Sequence, residues 1–346
     1  MVTCLSLTLR RLVSATACGL IVLAIPVTES GAAAPNASVL QLVKDYPLPG
    51  KATRWDYMDL DASRSRLFIA HLGDSAVVVV DTKTKAVVGT IGNVGEVHGV
   101  IAVPELGRAY ATATKTHELV AIDADSLQIV ARIPTGRHPD GLAYAPETHK
   151  VYVSDESGKT ETVVDAQTNK RVATIPLGSG VGNTKYDPTS KHIFVNAQDT
   201  SELIEIDPAT DNIVQRIPVP GAEGNHGLFI EPVLQLAFIA CEGNDKLIAM
   251  DLRTKKVVFE YGVSGRPDVL AYDAGLGLLY VASESGTVYL FRVSDAGIFQ
   301  AGKEDVGANA HTVAVDPATH QIYLPLKPAG KPPVLRAMRS ATVSAS

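Results

Sequence analysis

One sequence unit recurs seven times along this 346-residue chain, and no other feature constrains the fold as strongly. Each unit contains an apolar residue followed by an aromatic one, and neighbouring aromatics are 42 to 44 residues apart. The seven pairs are Leu67-Phe68, Ala109-Tyr110, Val151-Tyr152, Ile193-Phe194, Ala237-Phe238, Leu279-Tyr280 and Ile322-Tyr323. Every complete unit carries four strand-like runs with turn residues between them. Four strands in ~40–45 residues form one blade of a β-propeller.

The last unit lacks its fourth strand, because only residues 334–338 remain strand-like after residues 322–326. Residues 40–50, near the other end of the chain, resemble the segment that closes the second unit, residues 127–136. We therefore expect the N-terminal strand to complete the last blade, since closure protects the exposed strand edges of a propeller. The predicted fold is all-β, a seven-bladed β-propeller with four-stranded blades and a ring closed by the N-terminal strand.

The first 34 residues have the pattern of a signal peptide rather than of a folded segment. Arg10 and Arg11 precede the apolar run 12–27, and residues 32–34 are alanines that suit a cleavage site. That apolar run is shorter than the ~20 residues of a membrane span. The predicted organisation is a signal peptide at 1–34, a single propeller domain at 35–340 and a C-terminal tail at 341–346. We expect a periplasmic or secreted monomer without a membrane span after cleavage.

Two motifs within the repeats point to a known family. Residues 151–154 read Val-Tyr-Val-Ser and residues 279–283 read Leu-Tyr-Val-Ala-Ser, and Asp-x-x-Thr pairs such as Asp81 and Thr84 recur between the strands. These motifs resemble those of the YVTN-repeat propeller family, in its exported bacterial form, over about residues 39 to 340. The resemblance implies the fold, but the family includes surface proteins, binding proteins and relatives of enzyme subunits, so it does not select a function.

Equivalent positions in the first strands of the blades form a ring around the central channel. One such position lies twelve residues before each aligned aromatic, and it holds Asp56, His98, Asp140, Gly182, His226, Asp268 and His311. The order suggests three neighbouring His–Asp pairs, with Gly182 leaving a gap beside Asn183. Trp55 precedes Asp56 and can either wall a ligand or, as a large aromatic, pack in the core; Arg266, like Arg54 and Arg137, flanks the ring and can either attract an anion or remain solvated.

The ring of histidines and carboxylates suits two kinds of chemistry, metal binding and acid–base catalysis, and a third interpretation gives it only a structural role. His98, His226 and His311 can bind a divalent transition metal such as Zn, Cu or Fe, with each adjacent carboxylate orienting its imidazole. Alternatively, the His–Asp pairs can act as general acids or bases on a ligand held over the channel. Histidines and aspartates at strand starts also bind backbone groups or channel water without further function.

A second ring lies three residues after each aligned aromatic and includes His71, Asp155 and Cys241. These side chains are expected near the same mouth, where a thiolate would favour copper or zinc. A lone cysteine among apolar residues also serves as a small core residue. Loss of the signal peptide would leave Cys241 as the one cysteine of the chain, so an internal disulfide is excluded.

The charge of the chain and the absence of several sequence motifs exclude some classes of function. The chain has 31 basic and 37 acidic residues and no basic stripe, so we expect no nucleic acid partner. It has no phosphate-binding glycine loop, nucleophile elbow or paired Cys-x-x-Cys motif. The leading hypothesis is an exported binding protein or scaffold that takes a small-molecule ligand or a protein partner at the channel mouth. The alternatives are a metal-dependent enzyme (a lyase, hydrolase or redox enzyme) and a surface protein whose ring is only solvated.

Overall fold

The computed structural model describes residues 38–341, and the chain forms seven antiparallel sheets of four strands each. Blade 1 contains β2 (Met58–Asp61), β3 (Arg66–His71), β4 (Ala76–Asp81) and β5 (Val87–Ile91), and blade 2 contains β6 (Val97–Val103), β7 (Arg108–Ala113), β8 (Glu118–Asp123) and β9 (Ile129–Pro134). Blade 3 contains β10 (Pro139–Ala145), β11 (Lys150–Asp155), β12 (Thr160–Asp165) and β13 (Lys170–Pro176), and blade 4 contains β14 (Val181–Asp187), β15 (His192–Ala197), β16 (Glu202–Asp207) and β17 (Asn212–Pro218). Blade 5 contains β18 (Asn225–Glu231), β19 (Leu236–Cys241), β20 (Lys246–Asp251) and β21 (Lys256–Gly262), and blade 6 contains β22 (Pro267–Asp273), β23 (Leu278–Ser283), β24 (Thr287–Ser294) and β25 (Gly297–Asp305). Blade 7 contains β26 (Ala314–Asp316), β27 (Gln321–Leu326), β28 (Val334–Ser340) and β1 (Leu40–Pro47).

The predicted seven-bladed propeller is thus confirmed. Three single-turn 3-10 helices, Leu72–Asp74, Pro104–Leu106 and Thr114–Thr116, are the helical segments of the described residues. Within residues 38–341 no helix has the length and apolar character to cross a membrane. The predicted signal peptide at 1–34 and residues 342–346 of the predicted tail lie outside the described residues.

The N-terminal strand closes the ring as the sequence predicts. Strand β1 pairs antiparallel with β28, from Leu40 opposite Ser340 to Pro47 opposite Val334. Arg336 on β28 binds both carboxylate oxygens of Asp45 on β1, at 2.8 and 2.7 Å. Blade 7 therefore joins the two ends of the described chain in one sheet.

The repeated aromatic explains why the units have a common spacing. All seven aligned aromatics are almost completely buried. Each packs in a hydrophobic cluster with residues of the next blade, as Phe68 does with blade 2 and Tyr323 with blade 1. The core therefore consists of seven interfaces between blades, and it holds the inner strands around the channel.

Candidate functional site

The mouth at one end of the channel is a polar cavity of about 180 Å³. The segments that lead into the inner strands supply one layer of its lining, and the loops after the second strands supply another. Backbone hydrogen bonds fasten the two layers together, from Glu156 N to His138 O (2.9 Å) and from Glu284 N to Arg266 O (3.0 Å). The same bond recurs from Glu242 N to Gly224 O at 3.0 Å, so the repeat fixes the side chains of the mouth.

Six of the nine predicted site residues line this cavity. They are Asp56, His98, Asp140, His226, Arg266 and Asp268. The other three lie nearby but outside the lining: Asn183 is buried lower in the channel, His311 is buried behind the mouth, and Trp55 is in the core of blade 1. The ring position itself supplies five of the 13 residues that line the mouth.

Four further lining residues were missed by the prediction. They are Glu156, Gln198, Glu242 and Glu284. Each lies four residues after an aligned aromatic, one position beyond the second ring. That register was the available signal, because polar residues recur there in four neighbouring blades.

Tyr57 is the central residue of the site, and the repeat pattern of the sequence did not predict its role. Its hydroxyl accepts a hydrogen bond from Asn183 Nδ2 (2.6 Å) and donates one to Asp268 Oδ1 (3.3 Å). The same oxygen lies 3.2 Å from His226 Nε2. A residue of blade 1 thereby contacts blades 4, 5 and 6 across the channel and forms the floor of the mouth.

Replacing Tyr57 with phenylalanine should destabilise the propeller by about 1–3 kcal/mol, because the buried amide of Asn183 loses its partner. The measurement is urea unfolding followed by circular dichroism. Tyr144→Phe is the matched control, since its hydroxyl bonds Glu105 (2.7 Å) on the exposed outside of the ring. Equal midpoints for the two variants would show that the floor contributes no stability.

His226 is held among carboxylates. Its Nε2 lies 3.6 Å from Asp268 Oδ1 and 3.8 Å from Asp140 Oδ2, and Gln198 bonds its Nδ1 at 2.8 Å. Burial alone would lower the pKa of His226, but the negative charges of Asp268, Asp140, Glu242 and Glu156 outweigh it and raise the pKa to about 9. Burial in turn raises the pKa of Asp268 to about 7, against the opposing effect of His226. At neutral pH His226 is therefore protonated, whereas Asp268 titrates in that range.

His311 is buried with neither ring nitrogen in a hydrogen bond. Its closest charged neighbour is Glu284, whose Oε2 lies 3.4 Å from Nδ1. Burial lowers the pKa of His311, but Glu284, Asp268 and Asp56 together raise it above its ordinary value. When protonated, the imidazole forms an ion pair with Glu284 through Nδ1, and its buried Nε2 has no hydrogen-bond partner among the described residues.

Two overlapping groups of side chains have the spacing of metal ligands. Ligand atoms of His226, Glu242 and Asp268 lie within 4.8 Å of one another, and so do those of Asp268, Glu284 and His311. Asp268 belongs to both groups. Within residues 38–341 the structure does not bring His98, His226 and His311 into one such group, because His98 bonds Glu96 O (2.9 Å) and lies beside His138 instead.

Other expected members of the mouth have structural roles. Trp55 stacks on His71 with ring centroids 3.6 Å apart, so both rings pack in blade 1 rather than facing a ligand. Asp155 is buried and accepts hydrogen bonds from Gly136 N, Thr160 and Thr162. Cys241 is buried in the apolar core of blades 4 and 5, and burial raises the pKa of its thiol to about 12.

Gly182 does not leave a gap for substrate. A Cβ at this position would lie 2.6 Å from the carbonyl oxygen of His226. The glycine instead allows the inner strands of blades 4 and 5 to approach each other. The expected space is filled by backbone.

Fold and mouth together define a seven-bladed propeller with an acidic, histidine-containing channel entrance. The hydrazine synthase of Kuenenia stuttgartiensis is similar in structure, with a TM-score of 0.72 and 16% identity over 89% of this chain and 99% of that one. A virginiamycin B lyase from Staphylococcus aureus has a TM-score of 0.72 and 11% identity, covering 86% and 99%. A chain of the mitotic checkpoint complex has a TM-score of 0.73 and 10% identity, covering 92% and 98%. No family model and no curated protein matches the sequence. Similarity at these identities extends to the fold alone.

Proposed function

We propose that this protein is an exported propeller of the YVTN-repeat kind, periplasmic or secreted, that binds a divalent metal ion in its channel mouth. The bound ion would in turn hold a small-molecule ligand. The observation that carries the proposal is the pair of ligand groups that share Asp268, each with one histidine and two carboxylates whose ligand atoms lie within 4.8 Å of one another. Such an arrangement is stable when a cation occupies it.

The charges of the mouth favour a cation. Six carboxyl groups line the cavity against two arginines. The acidic residues are Asp56, Asp140, Glu156, Glu242, Asp268 and Glu284. Burial raises the pKa values of Asp56, Glu156 and Asp268, so their negative charges are poorly solvated. A divalent ion would replace the protons that these groups now share.

Of the two groups, the one formed by His226, Glu242 and Asp268 is the better candidate metal-binding site. All three side chains line the open cavity, so an ion bound there would keep coordination positions for water or a ligand. In the second group, Glu284 lies 3.4 Å from His311 and is bound by Arg54 at 2.8 Å, and these two partners hold its pKa well below the usual range despite its burial. One imidazole and two carboxylates suit Zn²⁺ or Fe²⁺ better than copper.

The pH dependence of metal binding tests the proposal. His226 must lose its proton to become a ligand, and its pKa is about 9. The apparent affinity for Zn²⁺ should therefore rise about tenfold per pH unit between pH 7 and 8.5. The measurement is competitive titration of the metal-free chain with a chelator of known affinity, together with the number of protons released.

His98→Ala is the matched control for that titration, because His98 lines the same cavity but belongs to neither group. Its affinity should stay within about threefold of the parent value, less than 1 kcal/mol. Loss of binding in this variant would instead support the three-histidine set. A parent protein that takes up no metal at any pH would refute the proposal.

A second candidate is a metal-dependent enzyme, most simply a lyase. The observation that favours it is the chain of contacts from Tyr57 OH to Asp268 and His226, two groups whose pKa values of about 7 and 9 suit proton transfer. An enzyme should lose turnover in Tyr57→Phe while keeping its metal. A binding protein should show no metal-dependent turnover in either form.

A further inference from the structure

The channel contains a second cavity, on the other side of Tyr57 from the mouth. Its volume is about 230 Å³, and Tyr57 and Asn183 form its boundary with the mouth. Twelve of its 17 lining residues are apolar, among them Val100, Ile101, Leu228, Phe229 and Leu270, and polar atoms form about half of the wall surface. The chemistry at this end of the channel therefore differs from that of the acidic mouth.

Only two of the residues that line this cavity are ordinarily charged, Asp59 and Lys185. Asp59 has its own partners, because its carboxylate oxygens accept hydrogen bonds from Ala102 N (2.7 Å) and Leu60 N (3.0 Å). Lys185 has none: across residues 38–341, no side-chain hydrogen bond or ion pair involves its amino group. Burial lowers the pKa of Lys185, and the field of Asp59 opposes that effect without an ion pair within 4 Å.

Lys185 is only partly exposed to solvent and its ammonium group has no counter-ion within 4 Å, so its partial desolvation is not offset by an ion pair. An anionic group would supply the missing counter-ion, and the apolar walls would cover the rest of the same molecule. A simple inorganic anion would leave those walls exposed to water.

We propose that this cavity is a binding site for a small monocarboxylate with an apolar body, whose carboxylate pairs with Lys185 Nζ. The site is independent of metal at the mouth. The two cavities are separated by Tyr57, which lines both of them.

The test uses hexanoate as the probe and hexanamide as its neutral counterpart, in calorimetric titrations of the metal-free chain. Hexanoate should bind, and hexanamide should bind at least tenfold more weakly, about 1.4 kcal/mol. Lys185→Met should weaken hexanoate binding by the same factor and leave hexanamide binding unchanged. Lys191→Met is the matched control, because Lys191 is exposed in the same blade and lies 3.6 Å from Glu147 on the outside.

Thermal unfolding of Lys185→Met shows whether the variant is folded, and loss of a charge that has no partner should leave its midpoint equal or higher. The proposal fails if the parent chain does not bind hexanoate, or if Lys185→Met binds it as tightly as the parent does. Equal binding of hexanoate and hexanamide would also refute it. Zn²⁺ titration of Lys185→Met should match the parent protein, so a failure of either site is distinguishable from a failure of the other.

Discussion

Removing residues 38–47 should prevent the chain from forming a stable closed propeller. Blade 7 would lose β1, and with it a seven-pair register along β28 and the bidentate partner of Arg336. Leu40 would also leave the core between blades 6 and 7. Together these losses approach the whole folding free energy of a domain, roughly 5–15 kcal/mol.

The measurement is thermal unfolding of the shortened chain, followed by circular dichroism and size-exclusion chromatography. A peptide containing residues 38–49 should restore the transition when added in trans, because it can donate the missing strand to the edge of β28. Deleting residues 342–346 is the control and should leave the midpoint unchanged. An undiminished midpoint without the strand would show that the other six blades hold the ring.

Asp268→Asn should weaken Zn²⁺ binding by at least about a hundredfold. The residue belongs to both groups of possible ligands, so the change removes an anionic oxygen from whichever one the ion occupies. The protein itself should remain folded. The asparagine can still accept the hydrogen bond from Tyr57, and it removes a carboxyl group whose pKa burial has raised to about 7.

The control for this variant is Glu156→Gln, which changes another carboxyl group of the same cavity outside both groups. It should alter the affinity by less than about tenfold, through the general field of the mouth. Equal losses in the two variants would indicate diffuse attraction of cations rather than a coordinated ion. Unchanged Zn²⁺ affinity in Asp268→Asn would exclude both groups as the metal-binding site.

The parts of the molecule that repeat could be predicted from the sequence, because the repeat itself places them. The aligned aromatics predicted seven blades, and the position twelve residues earlier predicted five of the 13 residues that line the mouth. The ring was closed by a segment recognisable from its likeness to residues 127–136. These predictions depend only on register, which a sequence displays directly.

What could not be predicted depends on departures from the repeat. Tyr57 follows Asp56 where blades 2, 3 and 5 have glycine, and nothing in its own unit shows that it reaches three other blades. The sequence left open whether Trp55 walls a ligand or packs in the core, because its stacking on His71 depends on which side of the inner strand it occupies. The division of the histidines between two groups depends on distances across the ring, which strand periodicity does not determine.

Tyr57 also lies between the two ends of the channel. An open central channel would let solutes pass from one face of a propeller to the other. Here the hydrogen bond of 2.6 Å between Tyr57 and Asn183 lies across the channel between the two cavities. The two cavities share only Tyr57 among their lining residues. Substitutions elsewhere can therefore change the lining of the acidic mouth or of the second cavity independently.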